Sequence, residues 1–171
     1  MSNGNPFISG DGCYNLALFW DWLYSLSEKI HEQKDGFKST RAWNKKSHFI
    51  GNCGEFTITL ATGLAFDHSL RINGQGNKAD FDSQDVEVKC STFWSDPHLK
   101  HPVTEKRWPT YFVLVALDES KKRSKIVGWA TSDELKAGTV ANYGYGEQFT
   151  LPPKKLHPGL PPGFVPKERC E

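Results

Sequence analysis

The chain has 171 residues, of which 37% are hydrophobic and 13% are aromatic. This length and composition suit one domain with its own apolar core and exclude two independent domains. The 21 basic and 20 acidic residues give a net charge of +1, which excludes a global basic field that would bind nucleic acid nonspecifically. Any affinity for DNA must therefore come from local basic patches.

The four cysteines lie far apart in the sequence, at positions 13, 53, 90 and 170. Such spacing favours reduced thiols over a zinc site or a secreted disulfide framework. The sequence starts without a basic segment and apolar run, and no stretch approaches the roughly 20 apolar residues of a membrane span. We therefore expect a soluble, intracellular, cytoplasmic protein with no membrane partner.

The N-terminal part, about residues 11–50, is predicted to be helical up to about Gln33, with Asp11 as a suitable N-cap. Its apolar stripe is typical of core packing, although an aromatic helix face also suits a dimer partner. The segment 38–48 carries basic residues around Trp43. It either contacts a DNA backbone or forms a solvated loop. Its candidate DNA-binding residues are Lys45 and Lys46.

Helical periodicity returns in residues 54–64, where apolar side chains recur at Phe56, Leu60 and Leu64. A candidate strand at 66–72 follows. A second candidate strand contains Asp80, and it leads to a turn at Ser83-Gln84.

The next candidate strand carries alternating charged and apolar residues. In an extended strand Glu87 and Lys89 share one face with Asp85, whereas Val86 and Val88 share the other. Acids and a lysine on one face, backed by valines, are typical either of an active site or of a solvated surface.

This order of elements, with Gly54-Glu55 opening a helix, Asp80 in a strand and Glu87-Val88-Lys89 in the next strand, resembles the core of the PD-(D/E)xK nucleases, the restriction-endonuclease-like superfamily. The resemblance covers about residues 50–131. It implies an α/β fold with a central mixed β-sheet of about five strands flanked by helices. Ala79 stands where the family has the proline of its Pro-Asp pair.

The resemblance also implies the roles of the site residues. In the family the helix glutamate, the aspartate and the acid of the Glu-x-Lys triplet hold one or two divalent cations, and the lysine lies beside the attacked phosphate. The corresponding catalytic residues here are Glu55, Asp80, Glu87 and Lys89, of which the three acids are the metal ligands.

The residue types suit the same chemistry. Three carboxylates without a cluster of histidines or cysteines favour Mg²⁺ or Mn²⁺ over zinc. A bound cation acidifies its water and neutralises the charge that develops on the phosphate. We therefore expect a divalent-metal-dependent DNA endonuclease, similar to small phage and prokaryotic members of the superfamily and acting in a bacterial host cell.

Other interpretations stay open. A noncatalytic nucleic-acid-binding or assembly module would keep the same fold, and an unrelated β-rich interaction protein would have a solvated charged strand. Glu55 lies three residues after Asn52, which is the spacing of a capping box. Asp82 and Asp85 compete with Asp80 for the second ligand position, but they also flank a turn.

Residues 93–108 are predicted to form a long loop near the site. It contains His98 and two tryptophans, which are available for packing or stacking. Its candidate DNA-binding residues are Lys100, His101, Lys106 and Arg107.

The apolar run 110–117 predicts a buried strand, and 126–131 is expected to pair back with it. Ser132 has N-cap character and is expected to begin a short helix. The core would thus end at about residue 151. Six prolines within 152–171 exclude a regular helix or central strand there, so this tail covers the surface or joins a partner. Since one subunit offers one cleavage site, cutting of both DNA strands would indicate a symmetric homodimer.

Overall fold

The computed structural model of the chain describes residues 45–64, 80–81, 85–144 and 146–164. In chain order these residues form α1 (Lys45–Thr62), β1 (Val86–Ser91), β2 (Leu99–Pro102), β3 (Tyr111–Asp118), β4 (Arg123–Thr131), α2 (Ser132–Lys136), β5 (Thr139–Asn142) and β6 (Glu147–Leu151), followed by a 3-10 turn at Pro153–Lys155. The predicted helix at 11–33, strand at 66–72 and turn at 83–84 lie outside the described residues.

The strands form two small sheets. In the first, β1 is parallel to β3 and β3 is antiparallel to β4, which gives the order β1-β3-β4. The second sheet is antiparallel, with the order β2-β6-β5. The α/β class is confirmed. Within the described residues, however, two three-stranded sheets take the place of the expected central sheet of about five strands.

The predicted loop 93–108 in fact contains a strand, β2. Leu99 and His101 are buried, whereas Lys100 and Pro102 are half-buried, so the segment has the alternation of a strand. Four residues that include a lysine, a histidine and a proline carry too little apolar periodicity to be recognised in the sequence. Their pairing with β6 places them in the second sheet.

Two apolar clusters lie on opposite faces of the first sheet. Alternation along β3 supplies both of them, since Val113 and Val115 belong to the first cluster and Phe112 and Leu114 to the second. The first cluster lies against α1 and includes Cys53, Phe56, Ile58, Val86 and Val88. The second cluster lies against the second sheet and α2 and includes Leu99, Leu135 and Leu151.

Several local predictions are confirmed. The apolar run forms β3, and β4 pairs back with it. The predicted short helix forms as α2, but its N-cap is Thr131 and not Ser132, and Glu134 completes a capping box. Of the proline-rich tail, residues 152–164 contain the 3-10 turn and one bridge, in which His157 pairs with Trp129 on the outer edge of β4.

Within the described part of the chain, no helix has the length and apolar character needed to cross a membrane.

Helix α1 begins earlier than predicted. Since its first residue is Lys45, Asn52 and Glu55 lie well inside the helix, and the capping-box interpretation of this pair is wrong. Gly54 faces β1 so closely that an added Cβ would lie 2.9 Å from Cys90 Cβ and 3.2 Å from Val88 Cγ1. The missing side chain lets the helix approach the strand that carries the Glu-x-Lys triplet.

We expect Gly54→Ala to lower the free energy of unfolding by about 1 to 3 kcal/mol, because the new methyl group would push α1 away from β1. The matched control is Gly51→Ala on the same helix, where an added Cβ meets no atom within 4 Å. That variant should gain up to about 1 kcal/mol from the helix propensity of alanine. Urea unfolding of the three proteins measures both changes. Equal effects of the two substitutions would contradict the close approach.

Candidate functional site

The Glu-x-Lys triplet lies on β1 as the alternation predicts. Val86 and Val88 pack against α1, and Glu87 and Lys89 project from the opposite face. The Lys89 ammonium nitrogen is 2.8 Å from Glu87 Oε1. The Lys89 side chain is 30% exposed and the Glu87 side chain is 21% exposed, so the ion pair is partly shielded from water.

Arg107 connects this pair to Asp85. Its Nη1 donates to Glu87 Oε2 at 3.3 Å, and its Nη2 donates to Asp85 Oδ1, also at 3.3 Å. Each carboxylate oxygen of Glu87 therefore has a cationic partner, one in Lys89 and the other in Arg107. The sequence places Arg107 among the DNA contacts, whereas its guanidinium in the structure holds two acids.

The neighbouring aspartates accept hydrogen bonds from the backbone of β1 and from the residue that precedes β3. Asp85 has a φ of 49°, so it turns the chain into β1 and does not continue the strand, contrary to the prediction from alternation. Its Oδ2 accepts hydrogen bonds from the amide and hydroxyl of Thr110, both at 2.7 Å. Asp80 Oδ2 accepts a hydrogen bond from the Val88 amide at 2.7 Å. Both aspartates thus help to fix β1 in place.

Glu55 lies on α1, which packs on the valine face of β1, while Glu87 projects from the other face. No three or more His, Cys, Asp or Glu side chains within 45–64, 80–81, 85–144 and 146–164 form a group that could hold a metal ion. The described residues thus do not bring Glu55, Asp80 and Glu87 together in such a group. Their role as ligands of Mg²⁺ or Mn²⁺ stays a prediction, and Asp82 lies outside the description.

A cleft of about 300 Å³ lies beside the C-terminal half of β1. It is lined by Ile50, Lys89, Cys90, Ser91, Thr92, Phe93, His98, Lys100 and Leu114. None of these lining residues is acidic, and two are lysines. The cleft is therefore suited to an anionic group, with Lys89 connecting it to the Glu87–Arg107 pair.

The other candidate DNA contacts have different surroundings. Lys100 lines the cleft, and its ammonium nitrogen lies 3.4 Å from the ring centroid of Tyr143. Lys106 is exposed. His101 is buried, so it is not placed to touch a phosphate. The backbones of Lys45 and Lys46 form the start of α1, and their side chains lie outside the description.

Two adjacent aromatic residues follow β1. Phe93 retains 70% of its exposure although it is a large apolar side chain. The Trp94 ring carries two cations, with Arg123 Cζ 4.4 Å and Lys125 Nζ 4.3 Å from its centroid. The sequence offers both tryptophans of this segment for packing or stacking but does not single out Phe93, because exposure of an apolar residue leaves no local signal.

His101 is the least expected feature of the site. It is 3% exposed, and its ring packs against Trp108 and Phe112, with centroids 4.5 Å and 4.9 Å away. Neither ring nitrogen makes a hydrogen bond to another described residue. The Arg107 backbone is close enough to favour protonation but not in hydrogen-bonding geometry.

Burial, and next the positive charge of Lys89, lower the pKa of His101 below the usual 6.5, against the opposing effect of Glu87. A neutral imidazole with both nitrogens unsatisfied has a cost in folding free energy. His101 thus adds a buried ring that is close enough to Lys89 and Glu87 to be affected by their charges.

Comparison with family models, with curated proteins and with solved structures gives no match for this chain. The resemblance to the PD-(D/E)xK nucleases therefore depends on the motif residues alone. The function has to be argued from the cleft and the ion pairs described above.

His101 should make the fold sensitive to acid. The unfolded chain takes up a proton near pH 6.5 and the folded chain does not, so stability is complete above that pH and falls as the pH drops below it. The loss should approach about 1.4 kcal/mol per pH unit until the folded histidine itself is protonated.

His101→Phe keeps a ring in the aromatic cluster and removes the titrating group. We expect it to match or exceed the wild-type stability at pH 7.5 and to lose the additional drop between pH 6.5 and pH 5. Urea unfolding across this pH range measures the effect. His98→Asn is the control, since it leaves His101 in place and should keep the drop. An unaltered pH profile in His101→Phe would contradict the assignment.

Proposed function

We propose that this protein binds DNA in the cleft beside β1 and hydrolyses its phosphodiester bonds with the help of a divalent metal ion. The observation that carries the proposal is the Glu87–Lys89 pair, in which Glu87 orients the ammonium group of a lysine that lines a cleft free of lining acids. Lysine and glutamate two residues apart on a strand can pair in this way on many surfaces. Here the pair adjoins an anion-accepting cleft, which a solvated strand would not require.

Lys89 is suited to stabilise the phosphate at which the bond breaks. Lys89 lines the cleft, and its ammonium nitrogen is held 2.8 Å from Glu87 Oε1. An ammonium group fixed beforehand stabilises developing negative charge without reorganising during the reaction. Arg107 in turn holds Glu87, so its role in this proposal is to position the pair.

Lys100 extends the positive charge along the cleft. Its position over the Tyr143 ring limits the freedom of a long side chain and so lowers the entropy lost when it binds a phosphate. His98 lines the same cleft and bonds to Asp96 at 3.2 Å, which offsets part of any positive charge it carries. The two lysines are therefore the main phosphate contacts that we assign to the described cleft.

The described acids fit a resident metal ion only in part. Both Glu87 oxygens contact cations, and Asp80 holds the Val88 amide. A cation at Glu87 would have to replace Lys89 or Arg107 as its partner. When bound, Mg²⁺ or Mn²⁺ would supply charge neutralisation at the phosphate and a more acidic water.

That incomplete acid set favours a second candidate, a noncatalytic DNA-binding module with the same cleft. In such a module the ion pairs of Glu87 would serve only to hold Lys89 toward a phosphate. If the protein does cut both strands of a duplex, one site per chain makes a two-fold homodimer the expected assembly.

Lys89→Ala tests the proposed hydrolysis. It should lower cleavage by about 100-fold or more because one electrostatic contact to the reacting phosphate is lost. Folding should change little, since partly exposed ion pairs contribute about 0 to 1 kcal/mol. The measurement is cutting of supercoiled, linear and single-stranded DNA in Mg²⁺, Mn²⁺ or EDTA. Lys154→Ala, at an exposed lysine of the 3-10 turn, is the control and should cut like the wild type.

Metal-dependent cutting that is lost in Lys89→Ala would support the nuclease. Gel-shift binding without cutting on any DNA would favour the binding module. Cutting that is unchanged in Lys89→Ala would remove this lysine from the mechanism. A protein that neither binds nor cuts any of these DNAs would contradict both candidates.

A further inference from the structure

Phe93 is an exposed aromatic ring beside a cationic cleft. Its exposure of 70% exceeds that of the other exposed large hydrophobic side chains in the described part of the chain, which are Leu60, Val140 and Tyr143. Leaving a phenyl ring in water forgoes the free energy of burying it. A ring in this position is therefore available to a ligand.

The loop that carries Phe93 is held in place. The Phe93 amide donates to the Ser91 hydroxyl at 3.2 Å, which turns the chain directly after β1. Phe93 also lines the cleft together with Lys89 and Lys100. A ligand on the ring would consequently lie next to both ammonium groups.

The next residue, Trp94, has cationic neighbours of its own. The Trp94 ring already has two cation–π partners in Arg123 and Lys125. Arg123 is partly neutralised by Asp118, at 3.1 Å, whereas Lys125 makes no ion pair with another described residue within 4.0 Å. Phe93 thus lines the cleft with its two lysines, and the residue after it in sequence contacts two further cations.

From this arrangement we infer that Phe93 is the stacking platform for an unpaired base and that the substrate is single-stranded DNA or a locally unpaired strand. The inference rests on the proposed binding of DNA in the cleft and adds the class of DNA. A protruding aromatic ring needs a free base face, and in a duplex those faces are covered by the neighbouring base pairs. Lys89 and Lys100 would contact the phosphates that flank the stacked base.

A purely apolar partner fits these observations less well. Its binding would bring the cleft lysines out of water without compensating charges. A nucleotide satisfies both requirements, since its base covers the ring and its phosphate pairs with an ammonium group. Stacking also explains how a chain with a net charge of only +1 could bind nucleic acid.

The test is fluorescence anisotropy in EDTA, with a labelled oligothymidylate and a labelled blunt-ended duplex without unpaired bases. Phe93→Ala should weaken binding of the single strand by about 5- to 150-fold, as expected for loss of one stacked base. Duplex binding should stay within a factor of two, and Phe93→Trp should restore the single-strand affinity. Leu60→Ala, which removes an exposed apolar side chain from α1, should change neither.

Salt dependence separates stacking from charge. Phe93→Ala should keep the wild-type slope of log affinity against log salt, because no phosphate contact is removed. Lys100→Ala should lower the slope by about one for the single strand. Loss of slope in Phe93→Ala would show that the ring acts through the cationic groups and would overturn the inference.

The remaining outcomes are also decisive. Single-strand affinity that is unchanged in Phe93→Ala, or a parallel loss for single strand and duplex, would overturn the inference while the proposed function stands. A wild-type protein that binds neither DNA would overturn the proposed function and the inference together. Circular dichroism of Phe93→Ala should match the wild type, since the side chain makes little contact with the core.

Discussion

The parallel pairing of β1 with β3 determines where the charged residues of this protein lie. Two parallel neighbours cannot be joined by a tight turn, so the chain must leave the end of β1 and return to the start of β3. That connection contains β2. It also brings Arg107 back to the beginning of β1, where the arginine forms ion pairs with Asp85 and Glu87. The same path leaves Phe93 and Lys100 at the opposite end, around the cleft.

Much of the first sheet could be predicted because its signals are local. The alternation of β1 and the unbroken apolar run of β3 each follow from burial of one face or both. The strand β2 could not be predicted, since its four residues show no clear apolar periodicity in the sequence and it is held by pairing with β6, almost fifty residues later. The start of α1 was equally hidden, because Lys45 and Lys46 give no apolar periodicity by which to place it.

The candidate site divides in the same way. Alternation along a strand predicts that Glu87 and Lys89 lie next to each other on one face, and their ion pair in the structure confirms it. The hydrogen bonds from Thr110 to Asp85 and from Arg107 to Glu87 depend on tertiary placement, which residue types alone do not specify. Burial of His101 is a further consequence of β2, since its alternation turns that ring toward Phe112.

The bridge between His157 and Trp129 gives the proline-rich segment a protective role. Its two backbone hydrogen bonds, of 2.9 Å and 2.8 Å, occupy part of the outer edge of β4. Gly128 lets the segment approach so closely that an added Cβ would clash with the His157 carbonyl oxygen. An open sheet edge is a template on which another chain can assemble. By covering part of this edge, the segment hinders edge-to-edge aggregation. A symmetric partner would have to bind through a different surface.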